Sequence, residues 1–128
     1  MEIREIESTL RELLLPVFGL DSVDEIRPDH SLVYDLGAES LDFVEIMYVI
    51  ERNFGIVLKT REIILGGSKL TEDSIFEDGV LTDEGVALIR KQFPNHTNEI
   101  KAGLTKVGMY SLITVRDMAA IIKAKMAI

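Results

Sequence analysis

The sequence predicts an all-α protein, a small helical bundle formed by a single domain over residues 1–128. Apolar residues recur at helical spacing in three stretches, near the beginning, in the middle and at the end of the chain. Hydrophobic residues make up 47% of the sequence, which suffices for a core that no disulfide or metal has to stabilise. There is no internal repeat and no low-complexity tract.

The first helix is predicted over residues 2–15. Its apolar face consists of Ile3, Ile6, Leu10, Leu13 and Val17. Pro16 should end or kink this helix, because proline has no backbone N–H to donate, and Gly19 suits a left-handed exit. Residues 20–38 then have the composition of a long ordered loop, with apolar anchors among Asp, Pro, Ser and Gly.

The second helix is predicted over residues 40–54 and is closed by Gly55. Its apolar residues are Leu41, Phe43, Val44, Ile46, Met47, Val49, Ile50 and Phe54. A helix with so much apolar circumference should be largely buried or should contact a partner or ligand. The last helix is predicted to begin at Thr114, which can cap it, with Asp117 favourable in its first turn.

A long segment, residues 55–113, separates these two helices. Residues 59–65 fit a helical turn or a short strand, and Gly66-Gly67 would break either. Residues 68–81 are acidic and predicted to be irregular, whereas helices are predicted at 82–93, capped by Thr82, and at 97–103. Because a structureless loop of this length is uncommon in a compact domain, the segment should be ordered and packed on the bundle.

The charge of the chain is uneven: residues 1–90 carry a net charge of −12 and residues 91–128 one of +4, which together give −8. An acidic body repels nucleic acid and favours basic protein surfaces, although acidity that only maintains solubility is the alternative. No apolar run approaches the roughly 20 residues of a membrane span. No signal-peptide layout is present at the N-terminus, so a cytoplasmic location is the default expectation.

The side chains that commonly bind metals or form disulfides are sparse or badly spaced. Cysteine is absent, so the chain offers no disulfide, no thiolate ligand and no thiol of its own. The acids Asp73, Glu77 and Asp78 lack the spacing of a calcium-binding EF-hand. The two histidines lie far apart in the sequence, and no metal site is predicted.

The most informative segment is Asp35-Leu36-Gly37-Ala38-Glu39-Ser40-Leu41-Asp42, in which a turn leads to one serine before the apolar second helix. A catalytic serine would need a base beside it, but His30 and His96 lie in no catalytic setting, and the G-x-S-x-G elbow is absent. No catalytic residue and no enzyme activity are therefore predicted. Ser40 is instead interpreted as a place where a group is attached.

This segment closely resembles the attachment motif of acyl carrier proteins, in which the serine of a D-S-L triplet carries 4′-phosphopantetheine. The triplet here is Glu39-Ser40-Leu41. Residues 24–32 resemble the loop between the first two helices of that family, and residues 112–115 resemble the entry into its final helix. The resemblance covers residues 1–54 and 112–128. Because the family joins its second and last helices by a short segment, residues 60–110 would be an insert in its four-helix bundle.

The resemblance implies a specialised, monomeric acyl carrier protein, modified and used by separate enzymes. It would carry acyl intermediates of fatty acid, lipid or polyketide-type biosynthesis as thioesters on 4′-phosphopantetheine, a phosphodiester of Ser40 that makes the chain a phosphoprotein. A phosphopantetheinyl transferase would attach this group from coenzyme A. The residues on which the transferase and acyl-transferring or synthase enzymes would dock through basic patches are Asp35, Glu39, Leu41, Asp42, Glu45 and Met47. The acyl-chain cavity would be lined by Ile46, Ile50 and Phe54, with Met47 beside them.

Several alternatives stay open. Ser40 could serve as a plain helix N-cap, worth about 1 kcal/mol. The cavity candidates could be ordinary core residues, and the acids could form a merely solvated helix face. The chain could also be an aminoacyl or peptidyl carrier of a nonribosomal-type pathway, an unmodified interaction module, or a serine hydrolase. The sequence does not specify the cargo, the pathway, the cognate enzymes or the role of the insert.

Overall fold

The computed structural model describes residues 1–66 and 70–127. These residues are mostly helical, as predicted. The helices are α1 (Ile3–Phe18), α2 (Ser40–Phe54), α3 (Thr60–Leu65), α4 (Glu72–Ile75), α5 (Asp83–Gln92), α6 (Lys106–Leu112) and α7 (Val115–Met126). The contacts divide the chain into two compact units, Met1–Leu58 with Ile113–Ile128 and Lys59–Leu112. Within the described residues, no helix combines the length and the apolar character that crossing a membrane requires.

The first unit is built from α1, α2 and α7. α1 packs against both other helices, and α2 also contacts α7. The helical spacing of apolar residues places one face of each helix inward. The fully buried members of these faces include Ile6, Leu10, Leu14, Ile46, Ile50, Val115 and Ile122.

The end of α1 lies beyond the predicted one. Pro16 sits inside the helix, which continues to Phe18, so the prediction that the helix stops at residue 15 is wrong. Proline removes only its own N–H from the ladder, and so close to the end this costs one hydrogen bond. Gly19 closes the helix in the left-handed conformation (φ 65°), and its N–H donates to the carbonyl oxygen of Leu15.

The loop between α1 and α2 is tied to the start of α7. Ser31 and Thr114 form an isolated antiparallel bridge, flanked by a hydrogen bond of 3.0 Å from the N–H of Leu32 to the carbonyl of Ile113. The guanidinium of Arg11 also donates to the carbonyl oxygen of Ile26 at 2.6 Å. These bonds order the chain before it reaches Ser40.

The second unit contains the departures from an all-α fold. Residues 76–81, predicted to be irregular, form a two-stranded antiparallel hairpin of β1 (Phe76–Glu77) and β2 (Val80–Leu81). The turn is Asp78-Gly79, both with positive φ, which is the pairing that two-residue hairpins favour. The single-turn helix α4 precedes it and was also not predicted. An all-α fold class is therefore correct for most of the chain and wrong for this hairpin.

The remaining predictions for this unit had mixed outcomes. Residues 60–65 form the helix α3, so the helical alternative is correct and the strand is not; Gly67 lies outside the described residues. α5 begins where predicted, and the hydroxyl of Thr82 accepts the N–H of Gly85 at 3.1 Å. The helix predicted at 97–103 is wrong, because this stretch forms turns with Gly103 at φ 91°.

The helix α6 was not predicted, and contacts distant in sequence support it. The ammonium group of Lys106 forms an ion pair with Glu72, and the hydroxyl of Tyr110 donates to the same carboxylate at 3.3 Å. Burial, followed by the negative charge of Glu72, raises the pKa of Tyr110 above its ordinary value. Deprotonation of this phenol therefore requires a higher pH than that of an ordinary tyrosine.

Candidate functional site

Ser40 is the first residue of α2, and its side chain is exposed. The N-cap is Glu39, whose own N–H donates to the carboxylate of Asp42 at 2.8 Å. Within the described part of the chain, the hydroxyl of Ser40 makes no hydrogen bond. The alternative that Ser40 is the N-cap is therefore wrong, and this hydroxyl is available to solvent.

The segment before Ser40 is held by side-chain-to-backbone hydrogen bonds. A carboxylate oxygen of Asp35 accepts the N–H of Ser31 at 2.7 Å, a local hydrogen bond from backbone to side chain of the kind that orders turns. The hydroxyl of Ser31 in turn accepts the N–H of Tyr34 at 3.0 Å. Two hydrogen bonds thus hold the turn of residues 31–35, which precedes α2.

The last step into α2 depends on one glycine and one buried alanine. Gly37 has φ 74°, a left-handed conformation that favours glycine. Ala38 is buried, and its N–H donates to the carbonyl oxygen of Leu32 at 2.8 Å. This anchor fixes the point from which the chain turns outward to Glu39 and Ser40.

The two faces of α2 are very different. Ile46, Ile50 and Phe54, the predicted cavity residues, are buried, with at most 9% of Phe54 exposed. Ordinary core packing would place them in the same way, so an acyl-cavity role stays a prediction. On the opposite side, Leu41 is 82% exposed and Val44 is 67% exposed. The predicted docking residue Met47 lies between these faces and is half-buried.

The predicted docking acids are not equivalent. Asp35 and Asp42 each accept a backbone N–H, as described above. Glu39 is exposed and serves as the N-cap residue. Glu45 is exposed and makes no hydrogen bond or ion pair with any residue that the structure describes. Its charge is therefore the one most available to a partner.

Two exposed residues of α2 were not singled out from the sequence. Tyr48 is 55% exposed, and its hydroxyl accepts a hydrogen bond of 3.0 Å from the guanidinium of Arg52. The guanidinium carbon also lies 5.7 Å from the centre of the tyrosine ring, within the range of a cation–π contact. The hydrogen bond to Tyr48 raises the pKa of Arg52 above its ordinary value. The signal that could have found this pair is their spacing from Leu41 along one face of a helix.

The described residues contain no group of three or more His, Asp or Glu side chains that could hold a metal ion. The start of α2 presents the hydroxyl of Ser40 between an exposed acid, Glu39, and an exposed apolar residue, Leu41. The first N–H groups of a helix have no intrahelical partners, and the helix dipole is positive there, so this position favours a phosphate group.

A family model described as the phosphopantetheine attachment site matches residues 8–70. An acyl carrier protein of Nitratidesulfovibrio vulgaris (strain DP4) is 35% identical over 51 residues, 40% of this chain and 66% of that protein. One from Akkermansia muciniphila is 36% identical over 62 residues, covering 48% of this chain and 76% of the relative. One from Solidesulfovibrio magneticus is 32% identical over 57 residues, 44% and 72% of the two chains. The matched part thus spans just under two thirds of the first of these relatives. No solved structure matches this chain significantly.

Proposed function

The chain belongs to the acyl carrier protein family, and we propose that it carries acyl groups as thioesters on a prosthetic group attached to Ser40. The cofactor of this attachment site is 4′-phosphopantetheine. When bound, the group supplies a flexible arm that ends in a thiol, which this cysteine-free chain does not possess. Members of this family act as carriers rather than as catalysts. Fatty acid, lipid or polyketide-type biosynthesis is the proposed setting.

The observation that carries the proposal is the state of the Ser40 hydroxyl. It is exposed, it makes no hydrogen bond with the described residues, and it sits in the first turn of α2. Glu39 and Asp42 cap the helix without it, so modification of the serine would not remove a cap. The residues present therefore fit a phosphodiester at this position.

We propose that a phosphopantetheinyl transferase and the acyl-transferring enzymes dock on the exposed face of α2. Leu41 offers apolar surface beside Ser40, and Glu45 offers an uncommitted negative charge. Exposed charges of this kind mainly set the encounter rate and the orientation of a complex, and salt weakens them. Glu45→Gln should therefore lower the transferase kcat/KM at low salt about two- to fivefold, and the difference should shrink as salt is added.

We further propose that residues 1–54 and 112–128 form the carrier core of a single carrier domain and that residues 60–110 are an insert. The insert would reshape the acyl cavity or add a surface for partners. Its support is a set of buried apolar residues that make it an ordered unit: Ile63, Ile64, Leu65, Ile75, Leu81, Ile89, Phe93, Ile100 and Met109. A deletion of residues 66–110 that preserves folding, acyl preference and partner choice would refute this role.

The central test is intact-protein mass spectrometry after incubation with coenzyme A, magnesium and a broad-specificity phosphopantetheinyl transferase. The protein should gain the mass of one phosphopantetheine, and peptide mapping should place it on Ser40. Ser40→Ala should stay at its unmodified mass, whereas Ser8→Ala, which changes another exposed helical serine, should be modified normally. An unmodified wild-type protein, or an adduct elsewhere, would refute the proposal.

The cargo is tested separately from the attachment. Once the modified protein is in hand, acyl ligases and aminoacyl ligases can be offered in parallel. Loading by an acyl ligase supports the proposed cargo, and loading only by an aminoacyl ligase supports a nonribosomal-type carrier. Retention of biological function by Ser40→Ala would instead indicate an unmodified interaction module.

A further inference from the structure

One exposed stripe of α2 runs from its apolar beginning to a basic end. Leu41, Glu45, Tyr48 and Arg52 are separated by four, three and four residues, a spacing that keeps them on one face of a helix. All four side chains are exposed. At the helical rise of 1.5 Å per residue, the stripe is about 16 Å long. A partner that covers the exposed face near Ser40 and follows the helix axis would therefore meet an apolar, an acidic, an aromatic and a basic group in turn.

The basic end of the stripe is held in place. Arg52 donates one N–H to the hydroxyl of Tyr48 at 3.0 Å and lies against the ring of the same residue. A guanidinium has five N–H donors, so most of them remain for a partner. Because the tyrosine already restricts this side chain, a partner that binds Arg52 has less conformational entropy to remove.

The charged residues near the beginning of α2, Glu39, Asp42 and Glu45, are all acidic, so Arg52 reverses the sign of the charge along the stripe. A docking surface that is basic along its whole length would attract Glu45 and repel Arg52. A surface with a basic group opposite Glu45 and a carboxylate opposite Arg52 would attract both, and like-charge contacts would exclude other partners.

From this arrangement we infer that the Tyr48–Arg52 pair is a specificity determinant that selects a partner protein whose docking surface carries both basic and acidic groups. The partner carries a basic group opposite Glu45, an apolar pocket for Leu41, and an acidic group opposite Arg52. The inference deepens the proposed function and rests on it, because the partner must be an enzyme that acts at Ser40 or on its cargo.

The test uses the full-length chain and, as the probe, a phosphopantetheinyl transferase with a basic docking surface. Arg52→Glu should raise kcat/KM about two- to fivefold, mostly through a lower KM, and high salt should remove the gain. The matched control is Arg4→Glu, which makes the same change of charge at an exposed residue of α1 that has no ion pair within the described residues. It should change kcat/KM by less than about twofold. Circular dichroism of each variant verifies that the fold is retained.

A charge exchange on the probe completes the test. Changing the basic docking residues of the transferase to glutamate one at a time should yield at least one variant that prefers wild-type Arg52 to Arg52→Glu. If Arg52→Glu behaves like Arg4→Glu, or if every transferase change affects both carriers equally, the inference is overturned while the modification of Ser40 still stands. If no variant of the carrier is modified at all, the proposed function fails and this inference fails with it.

Discussion

Replacing Asp35 separates two roles that this acid could have. Its carboxylate accepts the N–H of Ser31 at 2.7 Å and so holds the loop that leads to Ser40. The resemblance to acyl carrier proteins also makes it a candidate for partner docking. Asp35→Ala removes both the charge and the acceptor, whereas Asp35→Asn removes the charge but retains an oxygen that can accept the same N–H.

The expected magnitude follows from the geometry. A hydrogen bond to a charged group contributes about 1.5–3 kcal/mol, and because Asp35 is exposed, water can replace part of it. Asp35→Ala should therefore lower the free energy of unfolding by about 1 kcal/mol, and Asp35→Asn by less than about half of that. A loss of 1 kcal/mol raises the ratio of disordered to ordered loop about fivefold, so the rate of Ser40 modification, where it needs the ordered loop, should fall by at most that factor.

Three measurements on both variants distinguish the roles. Urea unfolding followed by far-ultraviolet circular dichroism gives the stability, hydrogen exchange of the Ser31 amide reports the local bond, and the transferase assay gives kcat/KM. A loop-holding role predicts that Asn preserves all three while Ala loses all three. If both variants keep wild-type stability and exchange but are modified equally slowly, the carboxylate acts through its charge on the partner, and the loop argument is wrong.

Three further predictions concern stability. Thr114→Ala should cost about 1 kcal/mol in urea unfolding, because the Thr114 hydroxyl accepts the N–H of Asp117 at 3.0 Å, and Thr114→Ser should preserve most of this contribution. Gly85→Ala should destabilise the second unit, because a Cβ at this position would lie 2.6 Å from the carbonyl oxygen of Ile75. The overpacking cost of about 1–3 kcal/mol exceeds the gain in helix propensity, which is at most about 1 kcal/mol. An unchanged urea midpoint for that variant would mean that α5 shifts freely. The pKa of Tyr110 is raised in the folded protein, so the contribution of the neutral phenol to stability is complete below pH 10.0, the ordinary value, and is lost as the pH rises above it. The stability of Tyr110→Phe should therefore decline less than that of the wild type between about pH 9 and about pH 11. Equal declines for the two proteins would contradict this.

The parts of the fold that the sequence predicted well are those whose signals are local and agree with one another. α2 was predicted at residues 40–54 and occupies Ser40–Phe54, with Gly55 in the left-handed conformation at its end. α5 and α7 begin after threonines whose hydroxyls cap them, Thr82 and Thr114. For each of these helices, the apolar spacing agrees with one local boundary signal, which is a terminating glycine for α2 and a capping threonine for α5 and α7.

The two elements that the sequence analysis missed, the hairpin and α6, were missed for different physical reasons. The hairpin at Asp78-Gly79 had a clear local signal, but its strands of two residues are too short to show a strand period. α6 has a glycine inside it, Gly108, which lowers helix propensity. Its support comes from the ion pair of Lys106 with Glu72, which lies more than thirty residues earlier in the chain. No reading of a local window can contain that contact.

The candidate site shows the same division between local and distant information. The motif indicated that Ser40 matters, but its spacing could not show which side chain caps α2. The structure gives that task to Glu39 and Asp42, so the hydroxyl of Ser40 remains unbonded within the described residues.

Because Asp42 belongs to the cap of α2, a variant in which all the acids around Ser40 are neutralised together would be ambiguous. Such a variant would lose the cap bond of Asp42 along with its charge, and slower modification could then come from a frayed helix. Among these acids, Glu45 has no bond to lose within the described residues, so a salt-sensitive effect of Glu45→Gln reports docking without that ambiguity.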